Sequence, residues 1–120
     1  MEKRYVTMCR CETANKAEIN RQEQVLEEFV KHEGGSIVRS FIEYGSADIL
    51  KLRTLRAMAI DGAFDTLLFE KLEVFGYAPD EVREEVKFLN EHGVKVVSIT
   101  EGELSPEDVS FLFRKQFTIC

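Results

Sequence analysis

The stretch RYVTMCRCETANK, residues 4–16, begins as a strand and ends as a loop. Its first part, residues 4–9, is rich in β-branched and apolar residues over a length typical of a strand. Three later segments share this character and predict further strands at residues 36–43 (SIVRSFIE), 65–70 (DTLLFE) and 94–100 (VKVVSIT). The pattern therefore predicts four short strands spread along the whole chain.

Helical periodicity fills the intervals between these strands. The predicted helix faces consist of Ile19, Gln22, Val25, Leu26, Phe29 and Val30, then Ile49, Leu52, Leu55, Met58 and Ala59, and then Val82, Val86 and Leu89 with Phe88 beside them. Gly34, Gly62 and Gly93 each follow such a pattern, where a left-handed residue ends a helix. Ser105 is placed to cap a fourth helix, with Pro106 and two acidic residues in its first turn.

Strands that alternate with helices predict a parallel sheet covered on both faces, because parallel neighbours need a crossover connection. Right-handed crossovers leave few topologies. We expect an α/β three-layer sandwich with a mainly parallel, four-stranded flavodoxin-like sheet in the order 2-1-3-4. Ligands of such folds sit at the carboxyl ends of the strands, which places residues 8–16 (MCRCETANK), Glu43 and Lys71 at the candidate functional edge.

Size and composition fit a single cytoplasmic domain. The chain has 120 residues, of which 44% are hydrophobic and nine are Phe, so it can bury a core without disulfides or metals. Its apolar runs are too short to cross a membrane, and it starts with Met-Glu-Lys-Arg rather than an apolar signal sequence. The formal net charge of -6 argues against wholesale wrapping of nucleic acid, although Lys51, Arg53 and Arg56 are clustered enough to form a local basic patch.

The cysteines of residues 8–16 raise the question of a metal or redox site. A metal site of the zinc kind needs about four ligands, and the sequence offers only two histidines, His32 and His92. Cys9 and Cys11 lack the C-x-x-C spacing that lowers a thiol pKa at a helix start, and three cysteines in all fit reduced thiols. Phosphate-loop, dinucleotide and serine-hydrolase motifs are absent. We therefore expect no metal, no cofactor, and thiols that act as small strand residues.

Several strings, in order along residues 4–102, resemble the serine recombinase family of resolvases and invertases. The family's first strand ends in a Tyr-x-Arg-x-Ser motif, to which residues 8–12 (MCRCE) are similar, and its next helix carries a Gln-containing signature, to which residues 18–22 (EINRQ) are similar. Residues 71–77 (KLEVFGY) stand where an Asp-Leu-Ser-Arg-Phe-Gly-Arg type of segment is usual, and residues 89–100 resemble the passage into the strand before the family's long dimer helix. The chain is identified as a degenerate member of this family's N-terminal catalytic domain.

The resemblance implies cofactor-free chemistry, in which a serine attacks a DNA phosphodiester and arginines stabilise the charge on the phosphoryl oxygens. By this correspondence Arg10 is the retained motif arginine, and Glu12 occupies the nucleophile position, where a carboxylate repels phosphate. Val74, Tyr77 and Ile49 stand where the family's other arginines are expected. The expected site is therefore Arg10 with a non-functional Glu12, and the expected domain does not cleave DNA.

Domain organisation and partners follow from the same resemblance. Residues 1–104 correspond to the catalytic domain, and residues 105–120 to the start of the C-terminal helix that makes the dimer and touches DNA in the family. The implied partners are DNA and either a second copy or another recombinase-family protein, with no membrane. The domain would act in DNA recombination or as a protein-interaction module. On the bland interpretation, Val109, Leu112, Phe113 and Phe117 of that helix simply pack on this chain's own sheet.

Two alternative functions stay open at the level of sequence. Thr13 or Cys11 could act as a non-standard nucleophile in an active recombinase domain. A flavodoxin-like signalling module could instead bind a small anion near Arg10, Glu43 and Lys71.

Overall fold

Strands and helices alternate along the chain as the sequence predicts. The computed structural model describes residues 2–45, 49–75 and 78–118, and it describes the side chains of these residues except 49 and 113–118. The elements in chain order are β1 (Arg4–Cys11), α1 (Lys16–His32), β2 (Ser36–Tyr44), α2 (Ile49–Ile60), β3 (Thr66–Phe69), a 3-10 helix (Leu72–Phe75), α3 (Pro79–Glu91), β4 (Lys95–Ser98), β5 (Gly102–Glu103) and α4 (Pro106–Thr118).

The strands form one sheet in the order β2-β1-β3-β4-β5. The first four are parallel, which confirms the predicted α/β class and the predicted order 2-1-3-4. The fifth strand, Gly102–Glu103, pairs antiparallel with β4 and was not predicted, because two residues are too few to show a periodicity. β1 lies near the centre, so its carboxyl end is flanked by those of β2 and β3.

Successive residues of β1 point to opposite faces of the sheet and into two separate cores. Val6 and Met8 belong to the larger core, which the sheet forms with α2, α3 and the start of α4. Tyr5 and Cys9 belong to the smaller core, which the sheet forms with α1. Helices on both faces explain why the central strand β3 is buried at every position.

Two adjacent glycines make the sharp turn from α1 into β2. Gly34 has a φ of 73°, a left-handed conformation that glycine adopts without strain, and it follows the helix end as predicted. Gly35 serves close packing instead, because a Cβ on it would lie 2.6 Å from Cε2 of Tyr5. Gly62 and Gly93 also have positive φ and end α2 and α3, as predicted.

Helix α4 begins with the predicted cap and packs into the same fold. The backbone N–H of Asp108 donates to Oγ of Ser105 at 3.3 Å, and the backbone N–H of Ser105 donates to Oδ2 of Asp108 at 2.9 Å. Val109 is fully buried and Leu112 packs against the larger core, whereas the side chains of Phe113 and Phe117 lie outside the described residues. The first turns of α4 are therefore part of this domain's own core.

Candidate functional site

A cleft of about 260 Å³ lies at the carboxyl ends of β1 and β3, between the first turns of α1 and the 3-10 helix. Arg10, Glu12, Lys71 and Val74 all line it. The structure thus brings together the residues that the sequence assigns to the catalytic turn and to the segment after the third strand. Tyr77 and the side chain of Ile49 lie outside the described residues.

The backbone of Arg10 is held by the side chain of Gln22. Arg10 N–H donates to Oε1 of Gln22 at 3.0 Å, and Nε2 of Gln22 donates to the Arg10 carbonyl at 2.9 Å. β3 pairs with β1 only as far as Thr7, so the buried amide of Gln22 replaces the missing strand neighbour. The Gln-containing helix signature therefore has a structural role, which is to fix the end of β1 to α1.

The guanidinium group of Arg10 is directed towards the end of β2. Its Nη2 donates to the carbonyl of Gly45 at 2.6 Å. Its Nε is buried, and among the described residues it is the one buried side-chain nitrogen or oxygen without a hydrogen-bond partner. Arg10 is thus held in place at the edge of the cleft, with one buried N–H group that has no acceptor among the described residues.

Arg21, which the sequence did not single out, forms ion pairs with two carboxylates of the cleft. It binds Glu70 through two hydrogen bonds of 2.7 Å and Glu18 through bonds of 2.7 and 2.9 Å. These bonds from Arg21, followed by one from Gln22, lower the pKa of Glu18 to about 2, and the bonds from Arg21 also lower the pKa of Glu70. The i,i+3 spacing of Glu18 and Arg21 is visible in the sequence, but no local pattern indicates Glu70.

The charges in the cleft do not favour a phosphate. Its lining contains four carboxylates and three cations, which are Glu12, Glu18, Glu70 and Glu73, and Arg10, Arg21 and Lys71. The formal net charge of the lining is therefore -1. Because Arg21 is already bound by two carboxylates, Arg10 and Lys71 are the cations left to face an anion.

The side of the cleft formed by the 3-10 helix is tied to the core. Val74 is only 8% exposed and belongs to the larger core. The backbone N–H of Leu72 donates to Oε1 of Glu101 at 3.1 Å, and the hydroxyl of Ser98 donates to the same carboxylate oxygen. The residue at this expected arginine position therefore contributes packing instead of charge.

The lining of the cleft does not include Thr13 or the thiols of Cys9 and Cys11. Cys9 is 2% exposed, and its pKa is raised to about 12, first by burial and then by the charges of nearby glutamates. Cys11 is half-buried, with its Sγ 4.0 Å from Oγ1 of Thr13. Within the part of the chain that the structure describes, no three His, Cys, Asp or Glu side chains are arranged to hold a metal ion.

Glu43 does not line the cleft and instead forms a buried ion pair. Its carboxylate lies 2.6 Å from Nζ of Lys51, and the two side chains are 9% and 3% exposed. Arg56 is likewise paired, with its Nε 2.6 Å from Oε1 of Glu85. The cluster of Lys51, Arg53 and Arg56 therefore carries less uncompensated positive charge than the sequence alone indicates, because ion pairs within the fold engage two of its three cations.

A larger cleft, of about 880 Å³, lies at the opposite edge of the sheet, near the amino ends of the strands. Its lining includes Tyr5, Phe29 and the ion pair of Arg4 with Asp65. Ligands of open α/β sheets bind at the carboxyl ends of the strands, so the smaller cleft around Arg10 and Glu12 is the better candidate site. None of the described helices has the length and apolar character needed to span a membrane.

Comparisons with known proteins agree with the fold. A family model described as "Resolvase, N terminal domain" matches residues 5–117 of this chain. A comparison with curated protein sequences found no significant match.

Three solved structures share the fold across nearly all of this chain. The N-terminal catalytic domain of TP901-1 integrase is 19% identical, with a TM-score of 0.78 and 98% of each chain covered. A resolvase family site-specific recombinase from Streptococcus pneumoniae is 15% identical, with a TM-score of 0.75 and coverage of 98% of this chain and 92% of that one. The C-terminal catalytic domain of ISC1926 TnpA, an IS607-like serine recombinase, is 18% identical, with a TM-score of 0.69 and coverage of 97% and 80%.

Proposed function

This chain belongs to the resolvase N-terminal domain family, and on that premise we propose that it is a serine-recombinase-like domain that has lost DNA strand cleavage. In this proposal Arg10 is the retained motif arginine, and Glu12 stands at the nucleophile position without a catalytic role. The domain, which we place in the cytoplasm, acts in DNA recombination or as a protein-interaction module. The three solved structures described above are catalytic domains or recombinases, which makes recombination the relevant reaction class to test.

The composition of the cleft carries this proposal. Phosphoryl transfer without a metal depends on cations that stabilise the charge of the transition state, and a single well-placed arginine is worth roughly a thousandfold or more in rate. Here Glu12 adds a negative charge at the point of attack, Val74 packs into the core, and Arg21 is engaged by two carboxylates. Arg10 and Lys71 are then the remaining cations of a lining whose net charge, with them included, is -1.

The positions of Thr13 and Cys11 argue against a substitute nucleophile. Neither lines the cleft that contains Arg10, Arg21 and Lys71, which argues against attack by either one on a group bound there. The side-chain neighbour that the structure gives Cys11 is the hydroxyl of Thr13 at 4.0 Å, which is not a base able to activate a thiol. A nucleophile without an activating base and an oxyanion clamp reacts slowly.

Covalent capture on DNA tests the loss of cleavage. The full chain is incubated with supercoiled plasmid and with labelled duplexes of randomised sequence, quenched in detergent, and analysed for protein linked to a 5′ end. We expect no adduct above background, while an active serine recombinase on its own site supplies the positive control. An adduct formed by the wild-type chain would contradict the proposal, and its loss in the Thr13→Ala or Cys11→Ala variant would identify the nucleophile.

The segment from residue 105 onwards supports the proposed interaction role. We propose that residues 1–104 form the recombinase-like body and that residues 105–120 begin the helix that contacts a second copy, a recombinase-family partner or DNA. Phe111 supports this view, because it is 61% exposed on α4 although Val109 on the same helix is fully buried. Light scattering after size-exclusion chromatography tests it, since a Phe111→Lys variant should dissociate any dimer that forms through this helix.

A further inference from the structure

The guanidinium group of Arg21 is occupied by carboxylates from two different elements. Arg21 lies on α1, Glu18 lies one turn before it on the same helix, and Glu70 lies directly after β3. All three side chains line the Arg10 cleft. Arg21 donates two hydrogen bonds to each carboxylate, at 2.7 and 2.9 Å to Glu18 and at 2.7 Å to Glu70. Carboxylates therefore take four of the five N–H groups that a guanidinium group offers.

These carboxylates bind Arg21 in the way that a phosphate group would. Carboxylate and phosphate both present pairs of oxygens that accept parallel N–H groups from the planar guanidinium fork. Glu18 takes the edge formed by Nε and Nη2, and Glu70 takes the edge formed by Nη1 and Nη2. While both contacts persist, Arg21 has no edge left on which to bind a phosphate through two parallel bonds.

The fold fixes Glu70 in this position independently of its side chain. The backbone carbonyl of Glu70 accepts hydrogen bonds from the hydroxyl of Thr100 at 2.9 Å and from the backbone N–H of Thr100 at 3.0 Å. The carboxylate is 12% exposed and is presented to Arg21 from this anchored backbone. Replacing the carboxylate by an amide should therefore leave the chain around residue 70 in place.

Arg21 itself is accessible to a ligand. Its side chain is 49% exposed, and the exposed cation Lys71 lines the same cleft directly after Glu70. The bonds from Arg21 lower the pKa of both carboxyl groups, so both are charged at neutral pH. Without these two negative charges, the net charge of the lining would change from -1 to +1. A phosphate would then meet a positive cleft with a free guanidinium group.

We propose that Glu18 and Glu70 form an autoinhibitory contact, in which they occupy Arg21 as an internal substitute for a phosphate group. Their removal uncovers an anion site formed by Arg21 together with Lys71 and Arg10. The ligand of the uncovered site is a phosphate group, either free or in a nucleic-acid backbone. This inference rests on the proposed loss of cleavage, because it assigns the expected absence of phosphate binding to two particular carboxylates.

Titration of the Glu18→Gln, Glu70→Gln double variant with inorganic phosphate tests the contact. The backbone N–H resonance of Lys71 reports on the cleft while chloride holds the ionic strength constant. Wild type should show no saturable shift up to about 10 mM, and the double variant should saturate with a dissociation constant on the order of 1 mM or lower, a gain of about tenfold or more. Each single variant should gain less, because one carboxylate still occupies Arg21.

Two controls separate the contact from a general change in charge. The Glu27→Gln, Glu28→Gln variant removes two negative charges from exposed positions of α1 that do not line the cleft, and it should behave as wild type. Adding Arg21→Gln to the Glu18→Gln, Glu70→Gln variant should abolish the gain. Circular dichroism shows whether each variant is folded, and Glu70→Gln alone, which keeps the pair of Glu18 with Arg21, supplies the test if the double variant is not.

The possible results distinguish this inference from the proposed function. If wild type and the double variant both fail to bind phosphate, or if the Glu27→Gln, Glu28→Gln control gains as much, the autoinhibitory contact is overturned and the proposed loss of cleavage stands. Saturable binding by wild type contradicts both. Where the double variant binds, a titration with a thymidine dinucleotide identifies the source of the phosphate. A shift with the dinucleotide supports a site for the nucleic-acid backbone, and a shift with inorganic phosphate alone supports a site for free phosphate.

Discussion

The two sides of the Arg10 cleft differ in what they contribute to the molecule. On the β1 side, Arg10 is fixed by reciprocal hydrogen bonds to Gln22 and by a bond from its guanidinium to Gly45. On the 3-10 helix side, Val74 has become part of the core, and the exposed positions around it carry Lys71 and Glu73. One side thus keeps an arginine in a defined position, and the other, in residues 71–75, has no arginine to act with it.

This difference shows that the frame of the site, meaning the strand and helix ends that hold its backbone, depends on different interactions from the charges of its lining. The frame rests on buried hydrogen bonds and packing, whose loss unfolds part of the chain. The charges belong to exposed side chains such as that of Glu12, where a substitution costs little stability. A domain can therefore keep its fold and the outline of its site after the chemistry of the site has changed.

The largest loss of stability is expected at the buried ion pair between Lys51 and Glu43. This pair lies beside Arg10, because Glu43 is the residue of β2 that pairs with Arg10 of β1. Replacing Lys51 by Met leaves a carboxylate buried without its cation, and we expect a loss of about 3–5 kcal/mol in the free energy of unfolding. Urea denaturation measures this loss. The double variant Lys51→Met, Glu43→Gln should recover part of it, and Arg53→Met on the exposed side of the same helix should change little.

A smaller effect is expected at the hydrogen bonds that hold Arg10. Gln22→Ala removes both bonds to the Arg10 backbone and leaves a partly buried N–H and C=O without these partners, at a cost of about 1–3 kcal/mol. The exposed Gln24→Ala on the same helix is the matched control and should be nearly neutral. Equal destabilisation by the two variants would show that Gln22 does not have the role assigned to it.

The ion pairs of Arg21 should appear as a dependence of stability on pH. The pKa of Glu18 is about 2 in the folded chain and 4.5 ordinarily, so its contribution is present above pH 4.5 and is lost as the pH falls towards 2. Glu70, whose pKa is also lowered, contributes in the same direction. The Arg21→Gln variant should therefore lose less stability than wild type between pH 4.5 and 2, as measured by urea midpoints, and a parallel loss in both proteins would contradict this account.

The smallest effect on stability is expected at Glu12, one of the carboxylates that line the cleft. Glu12 is exposed, so Glu12→Ser should change the free energy of unfolding by no more than about 0.5 kcal/mol. Removing its charge should improve phosphate binding only slightly, because Val74 still supplies no positive charge. Thermal melts with and without phosphate would measure both changes, and a large gain in phosphate affinity would assign the defect to Glu12 alone.

The sequence was sufficient to predict the frame because each part of it has a local signal. Strand and helix periodicities, the glycine after α1 and the cap at Ser105 gave the order of elements and the sheet topology. The interactions that define the charge of the cleft are not local. Glu70 meets Arg21 across 49 positions of sequence, and the buried Lys51 is paired with Glu43 of a different element. No periodicity encodes such pairs, so the sequence indicates neither the role of Arg21 nor the pairing of Lys51.

Titration of the full chain with inorganic phosphate tests the central claim most directly, because it probes the cleft without requiring a DNA site. The signal to follow is the backbone N–H resonance of Lys71, an exposed cation that lines the cleft, at ionic strength held constant with chloride. The account predicts no saturable shift up to about 10 mM phosphate. A saturable shift of this resonance with a dissociation constant below about 1 mM would contradict it, since the cleft would then still bind the group that a recombinase must bind.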